Sequence, residues 1–405
     1  MVSGAYMDYA AASPIDPEVI EAMLPYYRDK FGNPSSLHSA GSEPRKALEE
    51  SRKNVARLVS AKNTEIYFTG GATESNNLAV KGIAYRNRDK GNHIITTDIE
   101  HISTVNICKD LSKDGFKISY LPVDKYGVAD PSRVESEITK NTILITLAHA
   151  NGEIGTIQPV KEIGRIARDC NILLHVDGTP SLHQVPLNVQ DENIDLLTMS
   201  SNDMYGQKGV GGLYVRQGIK IESIIQGGGQ EMGLRSGSEN MPGIVGFGKA
   251  AELATERMHE DSNRLRDMRD RLIGRVLASV PESHLNGHPT QRLPNNVHLR
   301  FAGIEGEALL LSLDGKGINA ATGSACSSKT LEPSHVLMAI GLNEVEAHGS
   351  LLLTLGRWNT DEEVNYAINT VQEVVSRLRS MSPLWGKNLD LEQWKKDMEQ
   401  RGHEH

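Results

Sequence analysis

Residues that could handle a phosphate, an aromatic ring and a proton recur in this chain directly after short apolar runs. Gly70-Gly71-Ala72-Thr73-Glu74 follows the run at 65–69, and Glu100-His101 follows that at 93–96. His149-Ala150-Asn151-Gly152-Glu153 follows 142–146, Asp177-Gly178-Thr179 follows 172–176, and Ser200-Ser201-Asn202-Asp203 follows 195–199. A glycine turn that opens a helix presents free N–H groups and the positive end of a dipole to an anion, and the Thr73 hydroxyl can add to them. Thr73 and Glu74 equally suit a plain helix cap. Asp177 closes an apolar run, a costly place for a carboxylate unless a cation meets it. An anion site, a flat imidazole and a carboxylate for a pyridinium nitrogen are the parts of a pyridoxal phosphate site; a lysine for the Schiff base is the part not yet found.

The elements that must position these groups follow from the same runs. Between 64 and 216, near-continuous apolar runs alternate with helical patterns, which predicts a mainly parallel sheet covered on both faces, an α/β fold. In such a sheet ligands sit beyond the carboxyl ends of the strands, where these residues fall. After Pro242 a charged amphipathic stretch at 244–278 predicts a long helix leading into a smaller α+β unit with a strand at 295–301. The expected division is a large α/β domain at 16–255, a small α+β domain made of 1–15 with 256–380, and a tail at 381–405. The tail sets Trp385 and Trp394 among charged residues, and reads as a solvated end or as a partner-docking segment.

Composition narrows the classes. The 405 residues carry 43 basic and 52 acidic side chains, a net charge of −9, which argues against a general nucleic-acid binder. No run approaches the ~18 apolar residues of a membrane helix, and the first residues lack the features of a signal peptide, so a cytoplasmic location is expected. Three cysteines, Cys108, Cys170 and Cys326, are too few for a disulfide framework or a four-cysteine zinc site. Cys108 and Cys170 fall in helical patterns and read as core residues. Cys326 sits among Gly323, Ser324, Ala325, Ser327 and Ser328, either a plain Gly/Ser turn or a loop that carries a reactive thiol outward.

Along almost its whole length the sequence resembles the IscS/NifS-type cysteine desulfurases. The motifs are Asp8-Tyr9-Ala10-Ala11-Ala12, Phe31-Gly32-Asn33-Pro34-Ser35-Ser36, residues 69–77, residues 149–156, Gly227-Gly228-Gly229-Gln230-Glu231, Arg235-Ser236-Gly237-Ser238-Glu239-Asn240 and residues 323–328. The resemblance implies a fold-type I pyridoxal phosphate fold and a homodimer. It implies conversion of cysteine to alanine with a persulfide left on a loop cysteine, and delivery of that sulfur to an IscU-type scaffold for iron–sulfur assembly. By motif, Ala72, Thr73 and Ser200 hold the phosphate, His101 stacks on the ring, Asn151 lies beside its substituents and Asp177 pairs with its nitrogen. Ser238 reaches the partner's phosphate, and Cys326 carries the persulfide.

Three positions depart from the family pattern. Where the family reads Ser-x-His-Lys the chain reads Ser200-Ser201-Asn202-Asp203, so Asn202 and Asp203 occupy the places of the histidine and the Schiff-base lysine. A carboxylate forms no Schiff base. Pro180 replaces the glutamine after the ring-binding aspartate, and Leu352 stands where the family has the arginine that clamps the substrate carboxylate. Lys208 belongs to a different turn of the motif and is not expected to take the missing lysine's place. These losses lead to the expectation of a desulfurase-like protein of iron–sulfur assembly without its own cysteine cleavage. In that reading pyridoxal phosphate is absent or non-covalent, and Cys326 carries sulfur or ligates a shared iron–sulfur cluster. The alternative is an active desulfurase with non-covalently bound pyridoxal phosphate.

Overall fold

Seven of the apolar runs pair into one sheet in the computed structural model, which describes residues 4–322, 333–382 and 385. Its strands are β1 (Ile66–Thr69), β2 (His93–Thr97), β3 (Lys117–Leu121), β4 (Thr142–Ala148), β5 (Leu173–Asp177), β6 (Leu196–Ser200) and β7 (Gly211–Val215). They lie in the order β1-β7-β6-β5-β4-β2-β3. Strands β2 to β6 run parallel, and β7 runs antiparallel to both of its neighbours.

Consecutive residues serve opposite faces, as the strand period of two requires. Ile94, Leu144 and Leu196 join one core with Leu78 and Ile83. Ile95, Ile145 and Leu197 join the other with Val160, Ile163 and Phe247. Both faces are apolar because helices cover both, which is why the runs show no alternation.

Helices α1 (Ser39–Leu58), α2 (Ala72–Arg86) and α3 (Ile102–Lys113) belong to this layer. Helix α4 (Met241–Ser279) opens on Pro242, with the Asn240 side chain accepting from the Gly243 N–H at 3.2 Å. At 1.5 Å per residue it is about 58 Å long, and it serves two cores. Ile244 and Phe247 pack with the sheet, whereas Leu265, Leu272 and Val276 join a second core. That core is closed by an antiparallel sheet of β8 (Ser283–Leu285), β9 (Asn296–Phe301) and β10 (Ser350–Thr354), and by α5 (Asp361–Met381). Ala5–Tyr6 pairs in parallel with Ile318–Asn319, so the start of the chain is tied to the second unit.

One of the two cysteines read as core residues departs from that expectation. Cys108 is fully buried, and burial pushes its thiol up to about 12. Cys170 is exposed: it caps the C-terminus of the helix at Val160–Asp169, past the last turn that faces the sheet. In the tail, Trp385 lies against the chain's own Gly303, under the Arg379 guanidinium at 3.9 Å from the ring centroid. Arg379 is itself fixed by the carbonyls of Pro281, Glu282 and Ala302. This cation–π contact shields one face of the Trp385 ring, which stays 37 % exposed; the tail's other tryptophan, Trp394, lies outside the described residues. Among the described residues no helix is long and apolar enough to cross a membrane.

One buried ion pair shapes the turn at 229–238. Arg52 donates to both Glu231 oxygens at 2.7 and 2.9 Å and to the Ile66 carbonyl, while the Phe68 N–H donates to Glu231 as well. The pair holds Glu231 and Met232 at φ 48° and 54°, a left-handed conformation such side chains rarely adopt. Glu231→Gln leaves the buried Arg52 charge with only the exposed Glu49 carboxylate, at 3.4 Å, and is expected to cost about 3 kcal/mol, read as a lower urea midpoint.

Candidate active site

The turn between β1 and α2 is built as an anion site. Gly71 has φ 145°, open to glycine and rarely to other residues, and nothing lies within 4 Å of where a side chain would start. A cavity of about 670 Å³ opens over Gly70, Gly71, Ala72, Thr73 and Asn77. The capping reading of Glu74 holds in part, since its Oε2 accepts from the Gly70 N–H at 3.0 Å. Arg235 donates to Glu74 at 2.8 Å and offsets its charge, so the carboxylate does not repel an anion from the turn. The Thr73 hydroxyl is left exposed at the cavity, and Ser238 is exposed on the 229–238 turn.

Next to this turn stands a second group of side chains. His101 caps α3, its Nδ1 accepting from the Ser103 N–H at 3.2 Å and meeting the Ser103 hydroxyl at 2.7 Å. Asp177, at the end of β5, accepts from Asn76 at 2.8 Å and from the Thr179 N–H at 3.0 Å. Asn151 is turned largely to its own loop. Its Oδ1 accepts from the N–H groups of Glu153 and Ile154, and its amide donates to the Ile99 carbonyl, which leaves one N–H for a ligand. Asn296 and Arg292, from the edge of the second unit, brace the same loop through the carbonyls of Gly152, Glu153 and Ile154.

Asp203 lies just beyond β6. The Ser200 hydroxyl, the Asn202 amide and its own N–H favour its charged form. Burial acts first and in the opposite direction, aided by the charge of Asp177, and pushes its carboxyl up to about 6. Ser200, expected at a phosphate, is thus engaged with Asp203. Lys208 donates to the Ser13 carbonyl at 3.3 Å. Pro180 supplies no N–H, and Leu352 is buried in β10 opposite His298.

The folded state holds the Asp203 proton more tightly than the unfolded chain, whose carboxyl ionises near about 3.9. Its contribution to stability is therefore full below about pH 4 and is lost as pH rises through about 6. Asp203→Asn is expected to be more stable than the parent by about 2–3 kcal/mol at pH 7.5 and nearly equal to it at pH 4, in paired urea titrations.

Several buried polar atoms at these strand ends have no partner: Asn76 Oδ1, Thr179 Oγ1, Ser201 Oγ and Asn202 Oδ1. Each carries a desolvation cost of about 1–3 kcal/mol. The open turn at Gly71, the Asp177 carboxylate and the unpaired Thr179 hydroxyl next to it fit a phosphorylated pyridine held by hydrogen bonds and charge, but not by a lysine. Among the described residues no group of three His, Cys, Asp or Glu could hold a metal. Cys326, named as persulfide carrier and as metal ligand, lies outside the described residues.

Sequence reasoning passed over Asn76, Ser103 and Glu100 as individuals. Burial pushes the Glu100 carboxyl up to about 8, while Thr97 Oγ1 and the Ala148 N–H donate to it. Asn76 had a readable signal, since it lies among the buried positions Ser75, Leu78 and Ala79 on the sheet-facing side of α2.

The aminotransferase class-V family model matches residues 5–366. Cysteine desulfurase IscS 1 of Archaeoglobus fulgidus is 56 % identical over 380 residues, covering 94 % of this chain and 99 % of that one. Cysteine desulfurase IscS of Methanosarcina thermophila is 52 % identical over 382 residues, covering 94 % of each. Among solved structures, a NifS-like protein matches with TM-score 0.87 and 36 % identity, over 93 % of this chain and all of that one. SspA in complex with cysteine matches with TM-score 0.78 and 35 % identity, over 88 % and 99 %. The names of these relatives favour the desulfurase alternative over the expected loss of cysteine cleavage, which the comparisons do not support. The chain belongs to the aminotransferase class-V family, among the IscS/NifS-type cysteine desulfurases.

Proposed function

We propose that this chain is a cysteine desulfurase of iron–sulfur assembly that binds pyridoxal phosphate without a covalent bond. It works as a homodimer, probed by an IscU-type scaffold at its surface and confined to the cytoplasm. The observation that carries the reading is the open turn at Gly71 together with the Asp177 carboxylate held by Asn76 and the Thr179 N–H, with a carboxyl at 203 where the family has its lysine. The named desulfurase relatives, and a neighbour solved with cysteine, support it. Residues 16–255 supply the cofactor pocket, and residues 1–15 with 256–380 form the smaller domain.

The Gly71-Ala72-Thr73 turn, with Ser238 of the second subunit, would hold the phosphate. Asp177 would pair with the ring nitrogen, and His101 would cover the ring. When bound, the cofactor supplies an electron sink for the bonds of the substrate's α-carbon. Asp203, poised near pH 6, exchanges a proton at the place where the family uses lysine. The Cys326 thiolate attacks the substrate sulfur: the carbon–sulfur bond breaks, a sulfur–sulfur bond forms, and a proton taken up at carbon completes alanine.

A second reading, sulfur or cluster handling at Cys326 without cysteine cleavage, rests on Leu352, which offers a substrate carboxylate neither charge nor hydrogen bond. Binding mode tests the proposal. Pyridoxal phosphate should bind saturably, leave on desalting and resist fixation by borohydride. No saturable binding contradicts the proposal, as does borohydride-fixed cofactor.

A further inference from the structure

The contacts of Asn76 and Ser103 determine where protons sit around His101. Asn76 is fully buried, and its Nδ2 lies 2.8 Å from Asp177 Oδ2 and 3.1 Å from Ser103 Oγ. An ionised carboxylate only accepts, so the amide must present its nitrogen there, with one N–H spent on each contact. Ser103 Oγ therefore receives a hydrogen bond from Asn76. Its own single proton is left for its other neighbour, His101 Nδ1, at 2.7 Å. The Ser103 backbone N–H also points at Nδ1, at 3.2 Å. An atom met by two donors has to be the lone-pair nitrogen, so the ring proton of neutral His101 sits on Nε2.

We propose that Asn76 and Ser103 are positioning residues that lock His101 in its Nε2–H tautomer and tie the ring's orientation to the Asp177 carboxylate. The lock has a helical origin as well. His101 occupies the N-cap of α3, a position that calls for an acceptor, and Nδ1 supplies it. The imidazole thus meets the site with a donor of fixed direction, and the Asp177–Asn76–Ser103–His101 chain holds the ring-nitrogen partner and the ring-covering group in one register. The catalytic meaning of that donor rests on the function proposed above.

Nitrogen-15 NMR of the cofactor-free, histidine-labelled full chain at pH 8 tests the lock, with His101→Gln identifying the resonance. Nδ1 should report an unprotonated acceptor and Nε2 a protonated nitrogen. In Ser103→Ala the ratio of the two tautomers should shift towards Nδ1–H by about fivefold, which is what one hydrogen bond of ordinary strength controls. Ser103→Thr should restore the parent pattern. Asn76→Ala, which frees the Ser103 hydroxyl to turn, should shift the ratio in the same direction. Unchanged signals from the buried His175 and His298 establish that each variant is folded. A parent chain with the proton on Nδ1, or a Ser103→Ala spectrum identical to the parent's, overturns the proposal. No cofactor is present in the measurement, so its failure is separate from a failure to bind pyridoxal phosphate.

Discussion

Asp203→Lys is expected to convert a cofactor that leaves on desalting into one that stays and is fixed by borohydride, while alanine production changes by less than about tenfold. The first half follows from chemistry at one atom. The carboxyl has no nitrogen for a Schiff base, and its charge opposes an anionic cofactor. Two unit charges about 4 Å apart at an effective dielectric near 20 repel by roughly 4 kcal/mol. A lysine reverses the sign and adds a covalent bond. The second half follows from the remaining surroundings. Leu352 still gives the substrate carboxylate no anchor, and Pro180 gives the cofactor no N–H. A rise in alanine release of more than about 100-fold in this single variant would show that Leu352 carries less weight than given to it here.

Cys326→Ser should abolish sulfur delivery, with a loss of at least about 10³-fold in persulfide formed from cysteine, and leave pyridoxal phosphate affinity unchanged. A serine hydroxyl is protonated at neutral pH and is a poor nucleophile towards sulfur, whereas a thiolate attacks readily and keeps the sulfur as a persulfide. The residues that flank it in sequence, Gly323, Ser324, Ala325, Ser327 and Ser328, are all small. Persulfide detection by alkylation and mass measurement reads the effect directly. Unchanged persulfide in this variant would remove Cys326 from the chemistry. Unchanged cluster content in a complex with the scaffold would remove it as a ligand.

The sheet was legible because its strands are buried on both faces. Runs such as Thr142-Ile143-Leu144-Ile145 have no polar alternation to confuse with another element, and their ends mark where ligands sit. The antiparallel direction of β7 was not legible, since Gly211-Gly212-Leu213-Tyr214-Val215 looks the same run in either sense. Site residues at strand ends, His101, Asp177 and Asp203, could be found by position alone. The groups that orient them could not. Asn76 reaches Asp177 and Ser103 across 101 and 27 residues of sequence, and only the fold brings them together. Cys170 was misplaced because a helical pattern says that a residue is in a helix but not whether it falls past the last buried turn.

Alanine release from cysteine, measured on the purified full chain with and without added pyridoxal phosphate, tests the central claim most directly. The account predicts alanine that depends on added cofactor, saturates with it and stops when it is removed by desalting. No alanine at any cofactor concentration, from a folded chain, would contradict it.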